Sequence, residues 1–129
     1  MADRIALVRN DTRPPVVVQL SDSVTADPID LTSAAAVRLK FRAQGADELT
    51  ATVIGTILPG RVGDDGVLST DSPYDAAGAG GRVIFSWIGA PEALEGEAGN
   101  YEAEIEITYI DTTVQTVYET LKFKLRDDF

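Results

Sequence analysis

The chain predicts an all-β fold, an antiparallel sandwich of about seven or eight short strands. Three observations carry this. Two back-to-back stretches, Tyr101 to Tyr109 and Val117 to Leu125, alternate apolar and polar residues, the mark of strands with one face in a core and the other in water. A third alternator places Val37, Leu39 and Phe41 inward against Arg38, Lys40 and Arg42. Turn-forming residues punctuate the remainder at short intervals, and no amphipathic stretch is long enough for a substantial helix.

Taken in order, Ile5–Val8 is a short apolar run closed by Arg9-Asn10-Asp11. Thr12-Arg13-Pro14-Pro15 is excluded from helix interiors and central strands, because proline donates no backbone hydrogen bond. Val16 to Leu20 is expected as a strand, Ser21-Asp22-Ser23 as a turn, and Asp27 to Thr32 as a bend into the Val37 strand. Gln44 to Asp47 ends that strand. Leu49 to Leu58 reads as one further strand with Gly55 as a bulge. Residues 59–81 are rich in Gly, Asp, Ser, Pro and Ala, and are expected to form a long exposed loop holding a brief strand at Val67-Leu68. Arg82 to Ile88 resumes strand character, with Val83, Phe85 and Trp87 on one face. A helical turn is expected at Glu92-Ala93-Leu94.

Gly99-Asn100-Tyr101 then opens the alternating hairpin. A Gly-x-Tyr at this place resembles the tyrosine corner of immunoglobulin-like sandwiches, whose hydroxyl bonds back to nearby backbone. The fold expected is therefore an immunoglobulin-like sandwich, with Trp87, Gly99 and Tyr101 as structural residues. A loop of Asp111 to Thr113 would set Ile107 opposite Val117, Ala103 opposite Leu121 and Tyr101 opposite Phe123. It would also set Glu119 opposite Ile105, so a bulge or a register shift is expected near Glu119. Ala103 stands where an antibody domain has its second cysteine, which leaves the sandwich held by packing alone.

With 129 residues, the chain fits one domain that buries roughly two-thirds of its unfolded surface. It contains no cysteine and no histidine, which removes disulfides, thiolate nucleophiles, imidazole acid–base catalysis and almost all zinc sites. The net charge of -10 opposes nucleic-acid phosphate, and no Lys/Arg cluster interleaves with aromatics. No signal-peptide layout or bilayer-length apolar run is present, so neither nucleic acid nor membrane is expected as a partner.

Candidate chemistry is sparse. Glu102, Glu104 and Glu106 share the polar face of one strand, but residues two apart on a strand stand roughly 6.5–7 Å apart. Pairing with Arg38, Lys40, Arg42, Lys122 and Lys124 is the expected use of that row. Asp64-Asp65-Gly66 with Asp71 lacks the regular ladder of a calcium loop, and Gly78, Gly80 and Gly81 precede a strand rather than a helix, so they read as flexible loop. No catalytic residue, metal ligand or cofactor site is expected. Asp11-Thr12-Arg13-Pro14-Pro15 is open to two readings, a kink at the first strand or a stiff segment docking a partner. Asp64, Asp65 and Tyr74 in the 59–81 loop are the other contact candidates. Trp87 or Tyr74 could instead stack a sugar.

The order of "Asp-Thr-Arg-Pro-Pro…Gln-Leu-Ser-Asp", "Pro-Ile-Asp-Leu-Thr…Ala-Ala-Val-Arg-Leu-Lys-Phe-Arg", "Gly-Arg-Val-Ile-Phe-Ser-Trp", "Ala-Gly-Asn-Tyr-Glu-Ala-Glu-Ile-Glu-Ile-Thr-Tyr" and "Val-Gln-Thr-Val" resembles the N-terminal domain of the tailed-phage baseplate upper protein family, from about Asp11 to Leu125. The resemblance implies an immunoglobulin-like sandwich that packs into a tail-tip assembly and has no catalytic residues. Made in the host cytoplasm, the chain is expected in the virion in several copies, as a free-standing subunit of tail, baseplate or neck contacting other virion proteins. A carbohydrate- or cell-surface-binding sandwich is the alternative.

Overall fold

In the computed structural model, which describes residues 4–22, 24–117 and 120–127, the described strands fall into two sheets and a hairpin. They are β1 (Ile5–Val8), β2 (Val16–Gln19), β3 (Ala34–Ala43), β4 (Ala51–Ile54), β5 (Thr56–Leu58), β6 (Arg61–Val62), β7 (Leu68–Ser69), β8 (Arg82–Phe85), β9 (Gly99–Tyr109), β10 (Val114–Thr116) and β11 (Leu121–Arg126). The larger sheet runs β1-β11-β9-β3-β4, with β10 also paired to β9; the smaller is β2-β8-β5, and β6 pairs with β7. The fold is all-β, and the larger sheet is mixed and curled into a half-barrel. It is not wholly antiparallel as expected, because β1 runs parallel to β11, Ile5 facing Phe123 and Leu7 facing Leu125. These two strands lie at opposite ends of the sequence, so no hairpin dictates their relative direction.

Both sheets feed one core. Leu7, Val37, Leu39, Phe41, Tyr101, Ala103, Ile105, Ile107, Phe123 and Leu125 come from the larger sheet; Val16, Val83 and Phe85 come from the smaller. The period-two expectation holds in β3 and β9, where alternate residues are buried. At the centre, Phe41 stacks on Tyr101 with centroids 4.9 Å apart and meets Trp87 and Phe123 edge-on at 5.3 Å each. Such geometry adds to simple burial.

Leu49 to Leu58 is two strands rather than one. β4 pairs with β3 and β5 pairs with β8, so the chain changes sheets at Gly55. A Cβ there would lie 2.5 Å from Val83 Cγ1 and 2.7 Å from Phe85 Cε1. Gly55 is a crossing point that tolerates no side chain, not a bulge. Arg82 to Ile88 also ends early. Ser86 Oγ accepts from Ile88 N at 3.3 Å and starts a 3-10 turn at Trp87–Gly89. Trp87 still points inward, with no exposed surface. The expected helical turn is a second 3-10 turn, Pro91–Leu94, which buries Ala93 and Leu94.

Residues 59–81 are largely exposed and hold a brief strand, β7 at Leu68–Ser69, as expected, but they are not slack. Beyond the β6–β7 hairpin, Gly60, Gly78, Gly80 and Gly81 are all buried. Leu31 N donates to Gly78 O at 2.9 Å, Gly60 N to Tyr74 O at 2.7 Å and Leu20 N to Gly81 O at 2.8 Å. The glycines are there because backbone passes against backbone, not because the chain is slack.

The hairpin register is partly as expected. Leu121 faces Ala103 and Phe123 faces Tyr101, but Ile107 faces Gln115 instead of Val117. The loop closes one residue early: Tyr109 N donates to Thr113 O at 2.9 Å, enclosing Ile110, Asp111 and Thr112. Asp111 Oδ1 fixes this choice by accepting from Thr113 N at 3.0 Å and Thr113 Oγ1 at 2.5 Å. The two-residue offset is absorbed between Thr116 and Leu121; Glu119, where a bulge or shift was expected, lies outside the described residues.

Tyr101 Oη donates to Glu97 O at 2.7 Å. Gly96 makes room, since a Cβ there would lie 2.7 Å from that hydroxyl. Burial, followed by the negative charge of Glu97, pushes the Tyr101 hydroxyl above its ordinary pKa, with Arg9 opposing. The hydroxyl therefore stays a donor at neutral pH. Tyr101→Phe is expected to keep the Phe41 stack and lose about 1 kcal/mol of unfolding free energy in urea titrations.

Candidate functional site: an anchored proline segment

Asp11 to Pro15 carries the chain from β1 in the larger sheet to β2 in the smaller. Its approach is pinned by main-chain bonds from Arg9 N to Arg126 O at 2.9 Å and from Asn10 N to Leu94 O at 2.9 Å. Asn10 takes a left-handed φ of 67°, and the Arg13-Pro14 peptide is cis. The far end is held from below, where the buried Trp87 donates from Nε1 to Pro14 O at 3.0 Å. All five residues from Asp11 to Pro15 are exposed. The Arg13 side chain has no hydrogen bond or ion pair among the described residues. The result is a short surface ridge with fixed proline φ angles, a guanidinium that pairs with none of the described residues, and a buried anchor.

The other contact candidates sit elsewhere. β2 begins at Val16, opposite Phe85, and ends at Gln19, opposite Arg82. Gln19 there grips the hairpin: its Nε2 donates to Val62 O at 3.0 Å and its Oε1 accepts from Val62 N at 2.7 Å. Asp64 and Asp65 lie at that hairpin's exposed tip, where Asp65 Oδ1 accepts from Val67 N at 3.0 Å. Tyr74 is half-buried, with the Arg61 guanidinium 5.5 Å above its ring centroid and Arg61 NH1 donating to its hydroxyl at 3.0 Å. The structure thus puts Asp11–Pro15 and the Asp64/Asp65/Tyr74 group at opposite ends of the smaller sheet. Gly99 opens β9 opposite Leu125. Trp87, fully enclosed, cannot stack a sugar.

On the outer face of the larger sheet the expected pairing of the glutamate row is met at Glu102 and Glu106; among the described residues no ion pair to Glu104 or Lys124 occurs, and Arg38 donates instead to Thr108 Oγ1 at 2.9 Å. Glu102 lies 2.6 Å from Arg42 and 3.6 Å from Lys122, and Glu106 lies 2.6 Å from Lys40. Lys40 faces Glu104 in the register but bonds diagonally to Glu106. Among the described residues no group of three or more acidic side chains is placed to hold a metal ion, and no helix is long and apolar enough to cross a membrane.

The hydrogen bond from Arg42 holds the Glu102 carboxyl below the usual carboxylate range; the charges of Arg42 and Lys122 add to this, and desolvation opposes it. A lowered folded-state pKa contributes stability that is present at neutral pH and lost as pH falls through that pKa. Glu102→Gln is expected to cost about 1 kcal/mol at pH 7. Urea titrations repeated down to about pH 2 should show the gap closing below about pH 4.

Sequence reasoning missed one feature, a groove of about 520 Å³ between β2 and β10, lined by Val18, Leu20, Ile29, Ile105, Val117 and Leu121 among others. It depends on which strands end up as sheet edges, and no local pattern announces that. Comparison with protein-family models, with curated proteins and with solved structures finds no match for this chain.

Proposed function

We propose that the chain is a structural docking subunit of a tailed-bacteriophage particle, in its tail, baseplate or neck, built on an immunoglobulin-like sandwich. The observation that carries this reading is the exposed Asp11–Pro15 ridge, pinned to the core through Trp87, with an Arg13 that engages none of the described residues. A partner can bind it without a large ordering cost, because the backbone is already held. The strand order, with β1-β11-β9-β3-β4 set against β2-β8-β5, and the bond from Tyr101 to Glu97 support the immunoglobulin-like assignment.

The mode of action is geometric rather than enzymatic: a rigid sandwich presents a ridge at one end and the Asp64/Asp65/Tyr74 group at the other, so many copies contact other virion proteins. Quantitative mass spectrometry of washed, gradient-purified particles tests this. A fixed multi-copy stoichiometry is expected; a protein abundant in the lysate but absent from particles overturns the proposal. The carbohydrate-binding alternative retains only Tyr74, which lines a shallow depression of about 480 Å³ with Asp30 and Arg61. Specific glycan-array binding abolished by Tyr74→Ala would favour it.

A further inference from the structure

We infer that the groove between β2 and β10 accepts an extended strand from a partner protein, added along β2, with alternating apolar side chains and basic residues between them. Hydrogen-bond parity sets up the site. Leu20 N donates to Gly81 O at 2.8 Å, and Leu20 opposite Gly81 continues the register that pairs Val16 with Phe85 and Val18 with Val83. The main chain of Val16, Val18 and Leu20 therefore turns toward β8, and that of Val17, Gln19 and Ser21 turns the other way. No main-chain bond to those three outward residues occurs among the described residues. On the facing lip, Tyr109 N donates to Thr113 O at 2.9 Å and Val117 N to Ile105 O at 2.8 Å, which leaves Val114 and Thr116 facing outward from β10.

Among the described residues the domain is thus open along one seam, with an unpaired edge on each sheet and a groove of mixed apolar and polar lining between them. Exposed edges in soluble proteins are templates for strand addition unless covered. A strand laid along β2 would send every second side chain into the groove against Ile105, Val117 and Leu121. β2 is the better template, because its outward positions Val17 and Gln19 continue past the strand end through Ser21, whereas the described part of β10 offers Val114 and Thr116 alone.

Charge selects the occupant. The side chains between the apolar ones turn away from the groove, onto the face of Val17 and Gln19, where the field of a chain carrying -10 overall acts on them; the groove lining itself includes Asp22 and no lysine or arginine. A second copy would be repelled, and a basic strand attracted. The site is separate from the Asp11–Pro15 ridge, and the test below uses isolated protein, so its failure leaves the docking proposal untouched.

The test titrates the full chain with three peptides of about eight residues: valine alternating with lysine, the same peptide interrupted by a central proline, and valine alternating with glutamate. Affinity and amide exchange are the readouts. The lysine peptide is expected to slow exchange at Val17, Gln19 and Ser21 by about tenfold or more, and the other two to bind about tenfold more weakly or worse. Val17→Pro removes an outward N–H that no internal bond uses, a change tolerated at strand edges, and should weaken lysine-peptide binding by a similar factor. Gln115→Arg, which leaves β2 untouched, should weaken it through charge. Equal binding of the three peptides, protection at Val114 and Thr116 instead, no protection at millimolar peptide, or a homodimer dissolved by Val17→Pro would each overturn the inference.

Discussion

Gly80→Ala is expected to destabilise the fold by about 3 kcal/mol or more, at the upper end for overpacking. A Cβ at Gly80 would overlap the Gly60 carbonyl oxygen and lie 2.7 Å from Gly60 C and 3.1 Å from Arg61 Cα. All of these are backbone atoms, so no side chain can rotate away. Gly60 cannot retreat freely either, because its φ of 98° and its bond to Tyr74 O fix it. Moving Gly80 instead would disturb Gly81, whose carbonyl accepts from Leu20. Gly89→Ala is the matched control: its Cβ would meet open space, and its effect should stay within about 0.5 kcal/mol. Urea unfolding followed by fluorescence of the single tryptophan measures both. A slack 59–81 loop would make the two substitutions equivalent.

Trp87 is expected to give the second large effect, in two separable parts. Trp87→Ala empties the centre of the aromatic cluster, where the indole meets Phe41 at 5.3 Å and Phe123 at 5.9 Å. The cost should be about 3–5 kcal/mol, measured by circular dichroism during urea unfolding. Trp87→Phe retains an aromatic ring and should cost less, about 1–2 kcal/mol, but it removes the indole donor to Pro14 O. Its distinctive consequence is local. Amide exchange at Asn10 and Asp11, whose N–H groups donate to Leu94 O and Val8 O, should accelerate by more than the global loss of stability accounts for. Equal acceleration across β3 and β9 would mean that the indole does not anchor the ridge.

These effects mark where the sequence was legible. β3 and β9 could be read directly, because each has one buried face and the period of two survives in the residues. Gly55 was misread, since an apolar run from Leu49 to Leu58 looks the same whether it stays in one sheet or crosses to another. What decides is the approach of Val83 and Phe85, about thirty residues away. Gly78, Gly80 and Gly81 were misread for a related reason: composition cannot distinguish glycine used for slackness from glycine used for backbone contact. The hairpin's inside–outside pattern survived its register error because an offset of two preserves side-chain parity; the error came from the Asp111 carboxylate choosing which residues close the turn. At the candidate site, the prolines exposed the segment to view, but its anchor lies 73 residues away in sequence and left no local trace.

The most direct test of the central claim is hydroxyl-radical footprinting of the protein in purified particles against the isolated protein. Docking through the ridge predicts that labelling at Arg13, Pro14 and Pro15 falls at least about threefold in the particle, with Trp87 unlabelled in both states because it is buried. Equal labelling of the ridge in the two states, with the protein present in the particle, would contradict the account.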